Sequence, residues 1–75
     1  MLFVLNSRND IPWMLIEMRE HAGLTQRQAA NLMDIRQSTL SAWELGRNRI
    51  SLEKFISMAK VYDSEIMIRG FLDES

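Results

Sequence analysis

The side chains best suited to selective recognition in this 75-residue chain are hydroxyl and amide groups near its centre. Gln37 and Ser38 are followed, one helical turn later, by Ser41 and Ala42. A glutamine amide carries a donor and an acceptor side by side, and a serine hydroxyl can act as either. Small and amide-bearing residues of this kind have no obvious role in an apolar core. The cluster therefore predicts a hydrogen-bonding surface on a helix.

Catalytic and metal-binding sites are not indicated by the residues present. The chain has no cysteine and a single histidine, His21, which excludes disulfides and cysteine-ligated zinc and leaves no set of metal ligands. No nucleophile elbow or phosphate-binding loop occurs, and the pair Glu17 and Glu20 is a commonplace spacing on a helix surface. We therefore expect no catalytic residue, no bound metal, no cofactor and no enzyme activity.

Charge is distributed unevenly along the chain, although the formal net charge is only −1. Residues 25–49 carry four arginines against two carboxylates, namely Arg27, Arg36, Arg47 and Arg49 against Asp34 and Glu44. Residues 50–75 carry three cations against five carboxylates. A basic middle and an acidic end predict one face that attracts a polyanion while the rest of the surface does not.

Four segments have helical periodicity, and their start and stop signals place them at about 11–22, 25–33, 37–45 and 51–62. Thr25 and Gln28 form a capping box at the start of the second segment, and Gly46 ends the third. Three aromatic residues recur at core spacing and are expected to pack rather than to stack on bases: Trp13, Trp43 and Phe55.

The two ends of the chain predict short strands, at about 2–5 and 65–71. Isolated strands are unstable in water, so these two must pair either within one chain or across a two-fold axis. Apolar residues on both faces of Met1–Leu5 favour the second arrangement, an intermolecular sheet in a homodimer. The side chains expected at this dimer interface are Leu2, Val4, Ile66 and Ile68.

Length and hydropathy predict one small domain over residues 1–75, with a core that leaves little stability in reserve. No run approaches the ~20 apolar residues that span a bilayer. Met1–Leu5 lacks the basic start and cleavage site of a signal peptide. We therefore expect a cytoplasmic protein with no membrane partner.

The second and third helical segments, separated by about three residues, predict a helix-turn-helix over residues 25–46. Its second helix has the dimensions to enter the major groove of double-stranded DNA. The segment resembles the helix-turn-helix of the lambda Cro and repressor family, also called the Xre family, over about residues 13–64. The matching residues are Leu24-Thr25-Gln26, Ala30, Met33, Ile35, Ser38-Thr39-Leu40-Ser41, Trp43-Glu44 and Gly46.

This resemblance implies a mainly α, four-helix, lambda-repressor-like fold in a bacterial or phage-infected bacterial cell. It implies base contacts from Gln37, Ser38, Ser41 and Ala42. It implies phosphate contacts from Gln26, Thr39, Arg47, Asn48 and Arg49, and we expect Arg36 to add one more. It also implies a partly buried ion pair between Arg19 and Glu44 that joins the first and third helices.

Three residues depart from the family pattern. Asp34 and Asp63 stand where glycines usually end the second and fourth helices, and we expect both turns to persist with some strain. Arg36 stands where the family prefers a serine or threonine cap, which removes about 1 kcal/mol of capping from the recognition helix. In exchange, Arg36 adds a cation near the expected phosphates.

The function that these features favour is a sequence-specific DNA-binding transcriptional regulator, a repressor that binds a palindromic operator as a homodimer. An alternative is an antitoxin that binds DNA through the same fold and neutralises a neighbouring toxin, with residues 65–75 as a plausible toxin contact. A third hypothesis, a protein-interaction module that no longer binds DNA, is disfavoured by Gln26, Gln37 and the basic loop at residues 47–49.

Overall fold

The computed structural model describes residues 1–69. The elements follow one another as strand β1 (Leu2–Leu5), a short 3-10 turn (Arg8–Asp10), helices α1 (Ile11–His21), α2 (Gln26–Met33), α3 (Gln37–Glu44) and α4 (Leu52–Val61), and strand β2 (Glu65–Ile68). Four helices with a short strand at each end confirm the predicted mainly α fold.

Two helix starts follow from local hydrogen bonding that the sequence predicts. At α2 the Thr25 hydroxyl accepts from the amide of Gln28 at 3.1 Å, and the Gln28 side chain accepts from the amide of Thr25 at 2.9 Å. At α4 the Ser51 hydroxyl accepts from the amide of Lys54 at 3.0 Å. These bonds satisfy amides that the first turn of a helix leaves unpaired.

The core lies between the four helices and the inner face of the sheet. Its largest fully buried side chains are Tyr62, Phe55, Leu5, Met14, Leu15, Met18, Leu40 and Met58. Trp43 packs against this core from its edge, and Phe55 lies inside it, as expected. Trp13 does not, because half of its surface is exposed and its indole NH donates to the Asp10 carboxylate at 3.3 Å. The prediction of core packing is wrong for Trp13.

The two strands pair with each other in parallel within one chain, with Leu2 beside Glu65 and Leu5 beside Ile68. The expected intermolecular sheet is therefore corrected to an intramolecular one. The reason is that β1 has apolar residues on both faces, but one of these faces is buried. Phe3 and Leu5 are buried against the helices, so only the outer face, with Leu2 54% and Met67 49% exposed, lacks a covering element in the described chain. The second strand ends at Ile68, and residues 70 and 71 of the predicted strand lie outside the described residues.

Asp34 and Asp63 both adopt the left-handed backbone conformation, with φ of 57° and 56°. This confirms that both turns persist with aspartate at the position where glycine is the usual residue. At the first turn, the amide of Ile35 donates to the carbonyl of Ala30 at 3.0 Å. At the second, the amide of Ser64 donates to the carbonyl of Ala59 at 2.8 Å. These bonds close the helix ends and set the direction of the following segment.

The hydroxyl of Tyr62 is buried, and it has no hydrogen-bond partner among the described residues. Burial, together with the nearby Glu44 carboxylate, raises the pKa of Tyr62 to about 12. Tyr62 is only 1% exposed, so its ring fills part of the core.

We expect the free energy of unfolding to fall between pH 10 and 12 by about 1.4 kcal/mol per pH unit from Tyr62 alone. Below pH 10 the phenol is neutral in both states, and above that pH only the unfolded chain ionises until the folded pKa is reached. Denaturant unfolding across this pH range, followed by tryptophan fluorescence, measures the slope.

The control is Tyr62→Phe, which keeps the ring and removes the ionisable group. The difference in stability between Tyr62→Phe and the wild type should widen by about this slope. Equal slopes for the two proteins would mean that Tyr62 titrates normally. Below pH 10 the variant should be as stable as the wild type or slightly more so, because the buried hydroxyl has no partner within residues 1–69.

Candidate nucleic-acid interface

Helices α2 and α3 are joined by a three-residue turn, residues 34–36. Ala29 and Ala30 are buried on α2, and Leu40 is buried on α3. Small alanines let the two helices approach closely, and the left-handed turn at Asp34 redirects the chain between them. The arrangement is the predicted helix-turn-helix, in which Leu40 and Glu44 bury one side of α3 while Gln37 and Ser38, in its first turn, stay exposed.

The first turn of α3 presents the polar cluster with which the sequence analysis began. Gln37 and Ser38 are exposed, whereas Ser41 and Ala42, one turn later, are half-buried. Residues spaced by four lie on the same side of a helix, so all four side chains share one region of the surface. Gln37 and Ser38 are the more accessible pair.

Exposed cations precede and follow α3 along the chain. Arg36 is exposed immediately before α3, and the loop at residues 47–49 is exposed after it, whereas Thr39 is half-buried. Arg27, in the first turn of α2, is also exposed and is absent from the predicted phosphate contacts. The charge asymmetry of residues 25–49 was the signal that could have included it.

Burial makes the helix-turn-helix surface more positive than its sequence suggests. Of the two carboxylates in residues 25–49, Glu44 is buried and bound to Arg19, so Asp34 alone is exposed. This segment, whose residues are all described by the structure, therefore has four exposed arginines and one exposed carboxylate. A local excess of positive charge of this kind attracts phosphate even though the formal net charge of the chain is −1.

Arg19 of α1 and Glu44 of α3 form a two-point ion pair. The Nε of Arg19 donates to Oε2 of Glu44 at 2.7 Å, and its Nη2 donates to Oε1 at 3.2 Å. A third donor of Arg19, Nη1, binds the carbonyl of Leu24 at 2.9 Å. The hydrogen bonds that Arg19 donates to Glu44 raise the pKa of Arg19 above its ordinary value, so the guanidinium stays charged. This pair fixes α3 against α1 and against the segment that leads into α2.

The ion pair continues into two glutamine side chains. The Nε2 of Gln26 donates to Oε1 of Glu44 at 2.9 Å, and the Nε2 of Gln37 donates to Oε1 of Gln26 at 3.4 Å. The second bond is long, and it lies at the exposed end of the chain of contacts. We call the series Arg19, Glu44, Gln26 and Gln37 the polar relay. It connects a charge in the interior to the side chain at the start of α3.

Comparison with known proteins agrees with this geometry. Residues 15–67 match the family model of helix-turn-helix domains, which covers more than half of the chain. The chain belongs to the Cro/C1-type, Xre-like helix-turn-helix family. This is a family of DNA-binding domains and not of enzymes, and the protein is a helix-turn-helix regulator that binds double-stranded DNA. Neither a curated protein nor a solved structure matches the chain. Within residues 1–69, the helices are too short or too polar to cross a membrane.

Breaking one side of the ion pair in this helix-turn-helix regulator should be strongly destabilising. Arg19→Met leaves the Glu44 carboxylate, whose side chain is 2% exposed, without its cation. The expected loss in the free energy of unfolding is about 3–5 kcal/mol. Denaturant titration measures this loss. The matched double variant, Arg19→Met with Glu44→Leu, removes both charges and should recover most of the stability, whereas equal losses in both variants would show that the pair contributes only through packing.

The start of α3 offers a test of both structure and affinity. Arg36 precedes the helix but makes no side-chain capping bond. Arg36→Ser should raise the free energy of unfolding by about 1 kcal/mol, because serine can accept from an amide of the first turn. If Arg36 binds a phosphate, the slope of log affinity for DNA against log salt should become shallower by about one. A variant that is more stable but keeps the wild-type slope would remove Arg36 from the phosphate contacts.

Proposed function

We propose that this regulator is a sequence-specific repressor that binds a palindromic operator as a homodimer. The observation that supports the proposal best is the position of Gln37 at the start of α3. Its side chain is exposed, and the Nε2 of its amide binds Gln26 of the polar relay. A side chain held in this way loses little conformational freedom when it binds a base. The exposed cations that precede and follow α3 supply the attraction to the DNA backbone.

Direct base contact falls to the first two turns of α3. A glutamine amide pairs with the N6 and N7 groups of adenine in the major groove, so Gln37 is assigned to an adenine. Ser38 and Ser41 are assigned to neighbouring base edges, and Ala42 to an apolar contact such as a thymine methyl group. The greater exposure of Gln37 and Ser38 makes these two residues the principal contacts.

Phosphate contact is assigned to residues on either side of this surface. Gln26 uses one amide proton for Glu44, and its second amide proton remains for a phosphate oxygen. Arg36, Thr39 and the loop residues Arg47, Asn48 and Arg49 complete the predicted set, to which the exposure of Arg27 adds one further cation. Such contacts fix the position of the domain on the duplex, and they make binding depend on salt.

A homodimer follows from what one recognition helix can do. A single α3 contacts only a few base pairs, whereas two copies about 34 Å apart contact the two halves of a palindrome. The interface that we propose is the outer face of the sheet, where Leu2 lies beside Glu65 and Val4 lies beside Met67. Ile66 and Ile68, the other two predicted interface residues, lie on the opposite face, and Ile66 packs against the core. Of these two residues Ile68 is exposed, so Ile68 alone would contribute to the dimer.

Selection of bound duplexes from a random DNA pool, followed by footprinting, tests the proposal. We expect an inverted repeat with half-site centres about ten base pairs apart, an affinity that falls steeply with salt, and binding of one dimer per site. Gln37→Ala should lower the preference for the selected sequence by about tenfold, with little change in binding to unrelated DNA.

The control is Lys60→Ala, which removes an exposed cation from α4, outside the helix-turn-helix, and should leave the operator preference unchanged. Selection that yields no inverted repeat, or a Gln37→Ala variant with the wild-type preference, would contradict the proposal. The variant Leu2→Glu tests dimerisation separately from base recognition. It should weaken binding to the full palindrome while binding to a single half-site persists.

The alternative function, an antitoxin, stays a prediction. Its proposed toxin contact covers residues 65–75, of which the structure describes residues 65–69. The exposed outer face of the sheet is the feature in the described chain that such a partner could cover. A neighbouring gene whose product co-purifies with this protein and is neutralised by it would favour the antitoxin, and a neighbourhood without such a gene would exclude it.

A further inference from the structure

The polar relay has a direction, because its members differ in what they can donate and accept. An ionised carboxylate has no proton to donate, so Glu44 can only accept. Two of its contacts come from the guanidinium of Arg19, and one comes from Gln26. The amide nitrogen of Gln26 must therefore face Glu44. Its carbonyl oxygen then faces the protein surface.

The orientation of the Gln26 amide in turn determines the orientation of the Gln37 amide. Since Gln26 presents its Oε1 to Gln37, the side chain of Gln37 must present its Nε2 in return, and the observed contact of 3.4 Å has this polarity. If the amide of Gln37 were turned by 180°, two carbonyl oxygens would face each other at this distance. The length of the bond makes it weak, but the repulsion in the reversed arrangement still separates the two orientations.

We propose that Glu44, which is buried away from the DNA-facing surface, is a positioning residue that sets the amide polarity of Gln37 and thereby decides which bases Gln37 accepts. This inference rests on the proposed function, in which Gln37 contacts a base. With the polarity fixed, Oε1 of Gln37 points away from Gln26 and requires a donor on the base. One Nε2 proton binds Gln26, and the other remains for an acceptor on the base.

Adenine satisfies both requirements, because it presents a donor at N6 and an acceptor at N7. Guanine presents acceptors at both O6 and N7, so its O6 would face the carbonyl oxygen of Gln37. Adenine and guanine share N7 and differ at the exocyclic group. Discrimination between the two purines therefore measures the amide polarity itself, rather than the presence of the glutamine.

The test uses a protein in which the acceptor of the relay is removed but no buried charge is stranded. Arg19→Met with Glu44→Leu replaces the ion pair by apolar side chains, an exchange that is often close to neutral for stability. Gln26 and Gln37 are both retained. In this double variant the amide of Gln26 is free to turn, and the amide of Gln37 is free to turn with it.

The measurement compares binding to two duplexes that differ only at the base pair assigned to Gln37, as adenine–thymine or as guanine–cytosine. The wild type should prefer the adenine duplex by about tenfold or more. The double variant should lose most of this ratio, chiefly because it binds the guanine duplex better than the wild type does. The control, Arg19→Lys, keeps Glu44 and a cation beside it, and should keep the wild-type ratio even if the protein is less stable.

A merely structural role for Glu44 would weaken binding to both duplexes alike and leave their ratio unchanged, which would overturn the inference. A double variant that keeps the wild-type preference for adenine would overturn it as well.

Side-chain amide exchange in the free protein separates this inference from the proposed function. The Nε2 protons of Gln26 should exchange more slowly than those of the exposed Gln28, and the double variant should abolish the difference. If the Nε2 protons of Gln26 exchange slowly but the protein shows no sequence preference, the proposed function is refuted and the relay stands. If these protons exchange as fast as those of Gln28, the relay is refuted.

Discussion

The buried ion pair between Arg19 and Glu44 is the contact on which the rest of the structure depends. It joins α1 to α3, it holds the segment before α2 through the carbonyl of Leu24, and it receives the side chain of Gln26 from the first turn of α2. Three helices are thus fixed by one pair of charges. In a small domain, where apolar burial leaves little excess stability, such a connection also determines how rigidly α3 is presented.

The exposed face of the helix-turn-helix depends on this interior arrangement. Because Glu44 is withdrawn from the surface and neutralised, the arginines of residues 25–49 face solvent with little opposing charge. Gln37 owes its orientation to the same carboxylate through Gln26. The residues that we propose to contact DNA and the residues that stabilise the domain are therefore not separate sets, since Glu44 serves both electrostatics and positioning.

Local chemistry accounts for the parts of the fold that could be predicted. Thr25 and Ser51 begin helices through hydrogen bonds that span only three residues. Asp34 occupies a turn that depends on the left-handed backbone conformation of Asp34 itself. The partner of β1 could not be predicted in this way, because strand pairing depends on a segment at the other end of the chain. Trp13 shows a similar limit, since helical spacing defines an apolar stripe but not how far the neighbouring elements extend over it. The ion pair was recognised from family resemblance, whereas the polarity of the relay needed atomic contacts.

The parallel pairing of β1 with β2 has a consequence for the order of folding. Leu2 lies beside Glu65, a partner 63 positions away by the difference of their numbers. Closing so long a loop costs conformational entropy that neighbouring helices do not incur, and non-local contacts of this kind form slowly. The four helices can therefore assemble first and the sheet last. Until it closes, Phe3 and Leu5 are missing from the core, so the two ends of the chain complete a domain whose recognition helix is already in place.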